Sequence, residues 1–350
     1  MPDESPQETF TDWADADYEK LRKAITRSGY PLQGMVVDKL LKNLPSEASH
    51  QRIEIQEEWS FVDRETEAIR QIDALVGYQV SETQQDRDDF HDPSSWIRVH
   101  LNFLVECKQS DLPFVVFTRE TAGHCSIPLM FGHPHEDIEL RDDPTAEGII
   151  QMSASDALGI WDLGIPNPVR AMSIAKAHRK GKSLELSGED CYRSIALPVL
   201  KALEHLKDIT RPGHQRMYYD VRLVFPIAVL RAPLISAEVI EGDVRIKPVS
   251  HVRLLRSEPG PESLGGFEST GFDIVNYDYL DSYVDAARKA ASILAERIKS
   301  FSTQMLTGIA VFDPTSSELS RKYPYASMKA HVGIDEMAES LRARFREVHS

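Results

Sequence analysis

No stretch of 18 apolar residues interrupts the 350-residue chain, so no transmembrane helix is expected. The opening MPDESPQETF has neither a basic n-region nor an apolar h-region, which argues against a secretory signal. Cysteine is scarce: Cys107, Cys125 and Cys191 show no C-x-x-C spacing. An odd, sparse set predicts free thiols in a reducing cytoplasm. Cationic excess is missing as well, since the formal net charge is −15. A free-standing nucleic-acid binder is usually basic, so this balance counts against tight unaided binding. There is no P-loop, no G-x-S-x-G elbow and no dinucleotide fingerprint, which removes the commonest nucleotide-dependent and serine-hydrolase readings. No repeat of solenoid period occurs, and no Pro/Gly/Ser linker clearly splits the chain. Ser257 to Gly266 is the best break, and it reads as a loop.

What is present is ordinary globular material, with 41% hydrophobic and 27% charged residues, which excludes disorder and fibre. The charge is uneven. Residues 1–19 hold seven acids and no Lys or Arg, and residues 170–222 hold 11 Lys and Arg against six acids, so a basic face can exist on an acidic molecule. Solvated surface is the bland alternative for both segments.

Residues 1–16 read as an acidic tail. A helix is expected over Asp17 to Thr26, and a second after Ser28-Gly29-Tyr30, with Pro31 in its first turn. Leu32, Val36, Leu40 and Leu44 recur at four-residue spacing there, giving one buried face. Strands are expected at Arg52 to Val62, Ala68 to Val80, Trp96 to Lys108 and Pro113 to Thr118, with a polar hairpin turn at 63–67 and a surface loop at 81–95. Residues 119–185 carry no clear pattern. Ser187 is read as an N-cap with Asp190 three residues on, opening a helix whose stripe is Ile195, Val199, Leu203 and Leu206. Tyr218 to Leu230 returns to strand, with Pro226 suggesting an edge or bulge. Glu241-Gly242-Asp243 reads as a hairpin turn, and helices are expected over Tyr279 to Phe301 and Ile334 to Val348. The fold class is α/β, with a mixed central sheet flanked by helices. Residues 17–256 form the core, and 257–350 are expected as a C-terminal helical extension packed on it.

Chemistry concentrates on two of these strands. Asp73 lies on the second, and Glu106, Cys107 and Lys108 end the third. Alternation puts Glu106 and Lys108 on one face and Val105 and Cys107 on the other. If the two strands pair, Asp73 meets Glu106. Converging carboxylates repel unless a cation joins them. A hard divalent ion, Mg²⁺ or Mn²⁺, suits such oxygen ligands. The Cys107 carbonyl is a further candidate ligand, and Lys108 suits activation of water or neutralisation of developing charge. A structural ion pair of Asp73 with Arg70 or Lys108 is the bland alternative.

The segments Arg-Gln-Ile-Asp-Ala-Leu-Val (70–76), Leu-Val-Glu-Cys-Lys-Gln-Ser (104–110) and Ser-Gly-Tyr-Pro-Leu-Gln (28–33) together resemble the PD-(D/E)XK nuclease superfamily, the restriction-endonuclease-like fold. The resemblance covers roughly residues 28 to 230. A bare E-x-K is common by chance. Specificity comes from its apolar strand, the upstream I-D-x-L-V and the following PFVVF. It implies a Mg²⁺- or Mn²⁺-dependent endonuclease acting on DNA rather than RNA, of the kind used in defence, restriction or repair. It implies Asp73, Glu106, Lys108 and Gln109 as catalytic residues, with Gln109 near metal or phosphate, and Asp73, Glu106, Cys107 and Gln33 around the metal. Gln33 is a departure, because many family members carry Glu on the first helix; Glu67 is a second source for that charge. Arg170, Lys176, Arg179, Lys180 and Lys182 are candidates for nucleic-acid binding, without membrane association. A homodimer or partner subunit is compatible with cutting two strands. The alternative function is an inactive nuclease fold serving as a binding or scaffold subunit, and an unrelated α/β interaction protein is a third reading. His124, Cys125, His133, His135, Glu136 and Asp137 invite a zinc reading, but they lack a recognised four-ligand spacing.

Overall fold

The computed structural model describes residues 15–44, 53–80, 96–119, 125–141, 150–212, 218–259, 267–312 and 328–330. Two helices open it, α1 (Asp15–Arg27) and α2 (Tyr30–Asn43). Strands β1 (Ile53–Val62), β2 (Ile69–Gln79), β3 (Ile97–Gln109) and β4 (Phe114–Thr118) follow. The stretch without a sequence pattern supplies β5 (Leu129–Phe131), β6 (Asp137–Arg141), β7 (Ile150–Ser153), the short α3 (Ala154–Ala157), β8 (Val169–Lys180) and β9 (Ser183–Ser187). Then come α4 (Glu189–Cys191), a π turn at Tyr192–Ala196, and α5 (Leu197–Ile209). The chain continues with β10 (Tyr219–Arg231), β11 (Leu234–Ile240), β12 (Asp243–Pro248), β13 (His251–Pro259), β14 (Phe267–Asn276), α6 (Leu280–Thr307), β15 (Ile309–Phe312) and β16 (Met328–Ala330).

The architecture is α/β, with one large mixed sheet flanked by helices. Its strand order is β1-β2-β3-β10-β14-β13-β8-β4-β11-β12, with β5 on β10 and β9 on β8. A smaller sheet has the order β16-β15-β6-β7. On one face of the large sheet, α2 and α6 bury Leu32, Val36, Leu40, Leu280, Val284, Leu294 and Phe301 against Val99, Leu101, Phe103 and Val105. On the other, α5 buries Val199, Leu203 and Leu206 against Leu104, Val224 and Ala228. The four-residue spacing in α2 and the α5 stripe therefore produce the two helical layers, because each places one continuous apolar stripe on a helix.

The structure moves several expected boundaries. The boundary at 256/257 falls inside β13, and β14 lies within the sheet between β10 and β13, so part of the expected C-terminal extension belongs to the sheet itself. Pro226 stands in a central strand, not an edge. Strand β3 pairs along the whole of β10, and on the other side β5 stops at Val224 while β14 begins at Ile227. Pro226 falls in that gap, where its missing N–H leaves no partner unsatisfied. Ser187 ends β9 instead of capping a helix directly, although its Oγ is 3.2 Å from Asp190 Oδ2. The expected helix over 334–348 lies outside the described residues.

After four and two linking residues, β3 and β10 continue as β4 and β11, again side by side and parallel. The links stay in step because Ser110 N–H donates to Arg231 O at 3.2 Å and Phe114 N–H to Pro233 O at 2.9 Å. The sheet thereby extends into a wing of β9, β8, β4, β11 and β12.

Candidate metal centre

Strands β2 and β3 pair antiparallel between Ala74↔Val105 and Gln79↔His100. The next step along that ladder sets Asp73 across from Glu106, but the backbone pairing stops at Ala74. Side chains take over there. Cys107 N–H donates to Asp73 Oδ2 at 2.6 Å, and Asp73 N–H donates to the Glu106 carboxylate. The two strands thus exchange backbone–carboxylate hydrogen bonds where they separate.

The cause of the separation is local. Ala74 packs on the α2/α6 face of the sheet and Ile72 on the α5 face, although residues two apart normally share a face. Strand β2 therefore changes face at Asp73. Strand β1 kinks at the same level, where Glu58 has φ 49 between the pairs Glu57↔Ala74 and Trp59↔Ile72. A positive φ is uncommon for a non-glycine residue and marks an irregular strand.

The electrostatics follow from this geometry. Glu106 is only 4% exposed, and Lys108 Nζ lies on its Oε1. Burial pushes the Glu106 carboxyl up to about 7; Lys108 opposes the shift and the Asp73 charge adds to it. Burial also raises Asp73, against the Cys107 N–H and Lys108, and the Glu58 charge raises it further. For Lys108, burial works against the charge, but Glu106 and Asp73 outweigh it and hold the ammonium above its ordinary value. The Cys107 thiol, pushed well up by burial, faces the helical core and is no ligand in this form; its carbonyl remains the candidate donor.

Gln33 does reach this place. It is buried in α2, and its Nε2 donates to the Asp73 carbonyl at 2.9 Å and to Glu57 Oε2 at 3.4 Å. The amide therefore positions the Asp73 peptide. Gln33→Glu replaces that donor with an anion facing a carbonyl and Glu57. The expected result is a metal-free chain less stable by roughly 1–3 kcal/mol, read as a fall in melting temperature. An unchanged melting temperature contradicts this contact. Gln109 lies on the opposite face of β3 from Glu106 and Lys108, with its Nε2 on Thr26 O at 3.1 Å, so it anchors α1. Glu67 is exposed in the β1–β2 turn, six residues before Asp73 and thus about 20 Å along the strand. Glu57 and Glu58 were not singled out in the sequence, and both stand beside Asp73, one through Gln33 and the other through its charge.

The donor set suits a hard divalent cation: two carboxylates that repel each other, in a half-buried setting that raises both. Among the described residues no group of three or more His, Cys, Asp and Glu side chains is placed to hold a metal. Asp73 and Glu106 would then hold the ion with a backbone carbonyl and water, as Mg²⁺ tolerates and structural zinc does not.

Comparison of the chain with protein-family models, curated proteins and solved structures yields no match.

The basic residues do not form one surface. Arg179, Lys180 and Lys182 are exposed at the tip of the β8–β9 hairpin, with Lys180 paired to Glu185 at 2.7 Å. Lys176 is half-buried over the Phe114 ring, and Arg170 lies at the far end of β8, beside β13. The zinc set does not assemble among the described residues. His133 and His135 contact backbone carbonyls, Cys125 is buried, and His124 lies outside those residues. A second buried charged cluster is Arg253–Asp273–Tyr283, with His251 Nε2 3.1 Å from the Asp273 carboxylate. Arg253 Nε donates to Asp273 at 2.8 Å and the Tyr283 hydroxyl at 2.9 Å, which ties β13, β14 and α6 together.

Proposed function

We propose that the chain is a divalent-metal-dependent phosphodiesterase whose Asp73 and Glu106 hold the ion and whose Lys108 assists at the scissile phosphate. The observation that carries this reading is the Asp73–Glu106 exchange with Lys108 ion-paired to Glu106 at the point where β2 and β3 part. A bound Mg²⁺ or Mn²⁺ supplies charge stabilisation at phosphoryl oxygens and a water of lowered pKa. The chain's own groups do the rest. Burial keeps Glu106 and Asp73 poised to give up a proton or an amide contact in exchange for a cation. Lys108, one-third exposed, reaches from Glu106 toward solvent and donates to an anionic oxygen there. The substrate class is a nucleic acid, DNA ahead of RNA by the resemblance of residues 70–76 and 104–110. With a net charge of −15, unaided affinity for it is expected to be weak.

Lys108→Ala is expected to lower the single-turnover cleavage rate by roughly 10²–10³, while calorimetric Mn²⁺ affinity holds or rises because a competing cation is gone. A full-rate variant removes Lys108 from the mechanism. One observation favours a second reading, an inactive binding or scaffold subunit: Gln33 occupies the helix position where a third acid is expected, and its amide donates to the Asp73 carbonyl. Plasmid cleavage in Mg²⁺, abolished by chelator and by Asp73→Ala, decides for the enzyme. Mn²⁺ binding without cleavage decides for the subunit.

A further inference from the structure

The wing carries an apolar face that the metal site does not use. Cross-strand partners share a sheet face, so the register defines it. Val239 pairs with Val244, Ile246 with Ala237, Ala237 with Phe117, and Phe117 with Ser173. Farther along β8, Ala177 pairs with Leu186 and Arg179 with Leu184. Leu184, Leu186, Phe117, Val239, Val244 and Ile246 therefore point from one side of five adjacent strands, and all six are exposed. Val244 and Ile246 are 66% and 70% exposed. The opposite side is buried at β4 and β8, where Phe114, Val116 and Ile174 pack with Cys191 and Ile195, and is exposed at β9 and β12. Ala175, Ala177 and Ala237 lie between the six exposed side chains, on their side of the sheet, and are buried. A monomer rarely leaves this many large apolar side chains open on one sheet face.

The charges at its ends select the occupant. Strand β9 pairs with the far end of β8, whereas the β11–β12 turn lies past the other end of β4, so the two turns mark diagonally opposite corners. One corner holds Arg179 and Lys182, the other Glu241, while Asp243, paired with Ile240, points from the opposite side. Among the described residues none of Arg179, Lys182 and Glu241 has an ion-pair partner. A two-fold axis lying between two such faces, near Phe117, sets the basic corner of one copy over the acidic corner of the other. Apolar side chains then meet apolar side chains in the middle. An isologous contact of this kind is self-complementary.

We propose that this face of β9, β8, β4, β11 and β12 is the interface of a homodimer, two wings stacked face to face. The face spans on the order of 400 Å² of sheet plane, from strand spacing and rise. That is below the roughly 800 Å² per partner of a standard interface, so the dimer is expected to be reversible. The proposal does not depend on the nuclease reading.

Sedimentation velocity of the full chain without nucleic acid tests it. The wild-type sedimentation coefficient is expected to rise with loading concentration to that of a dimer. Val244→Lys/Ile246→Lys, at positions too exposed to affect folding, is expected to stay monomeric with an unchanged circular dichroism spectrum. Arg179→Glu and Glu241→Arg alone are each expected to weaken association at least tenfold, and the chain carrying both to recover it. A wild type that is monomeric at every concentration overturns the proposal, as does a Val244→Lys/Ile246→Lys variant that still dimerises. Failure of the combined variant to recover overturns the two-fold geometry.

Discussion

Asp73→Ala and Glu106→Ala are each expected to reduce phosphodiester cleavage by at least about 10³-fold, because each removes one of the two charged ligands proposed for the ion. Both variants should also lose Mn²⁺ binding in calorimetry. The fold should survive. Asp73 lies beyond the paired stretch of β2 and β3 while β1 still holds β2 on either side of it, and Glu106 stays paired with Ala228 of β10, so the backbone ladder does not depend on either carboxylate. Glu106→Gln is the sharper companion, since it keeps the shape and can still accept the Asp73 N–H while removing the charge. Wild-type cleavage by these variants would exclude the site.

The second large effect is on stability against pH. Glu106 in the folded chain titrates at about 7, against 4.5 as an ordinary glutamate. The folded state therefore holds a proton that the unfolded chain releases between those values. Stability from this group is fully present below about pH 4.5 and is lost as pH rises through 7. The loss is on the order of 3 kcal/mol, and Asp73, raised for the same reason of burial, adds to it. Metal-free protein should thus melt several degrees lower at pH 8 than at pH 5.5, as far as this site decides. Glu106→Gln should flatten that difference and stabilise the metal-free chain at pH 8. Saturating Mn²⁺ should restore the wild type at pH 8 and leave Glu106→Gln unmoved. A wild-type melting curve indifferent to both pH and Mn²⁺ contradicts a strained, proton-holding pair.

How much of this was legible in the sequence depended on how local the signal was. The α2 stripe is a periodicity within one segment, and the residues alone reveal it, as they do a long helix at α6; the pairing of β2 with β3, which sequence leaves conditional, is seen only in the structure. Pro226 reads as an edge in sequence but stands in a central strand, because its tolerance depends on β5 ending and β14 beginning beside it, from segments about 100 residues upstream and 40 downstream. Strand β5 pairs with distant β10 and β8 with distant β4 and β13, and a bulge between Phe117 and Thr118 breaks the alternation of β8; even the local pairs β6–β7 and β8–β9 carry no clear pattern in sequence. Asp73, Glu106 and Lys108 were legible as a motif. Their hydrogen bonding was not, since it depends on the face change at Asp73 and the left-handed backbone of Glu58. Gln33 enters the sequence reading only through the resemblance of residues 28–33, and its contact, an amide donating to the Asp73 carbonyl, is visible only in the structure. The basic run reads as a unit in sequence, and strand geometry disperses it along β8 and the tip of its hairpin.

The most direct measurement is the anomalous scattering of Mn²⁺ in crystals of the full chain at pH 8. The account predicts a peak between the carboxylates of Asp73 and Glu106, with the Asp73 oxygen released from Cys107 N–H and Lys108 turned from Glu106 toward solvent. No peak there, with both carboxylates still held by the neighbouring amides at saturating Mn²⁺, would contradict it.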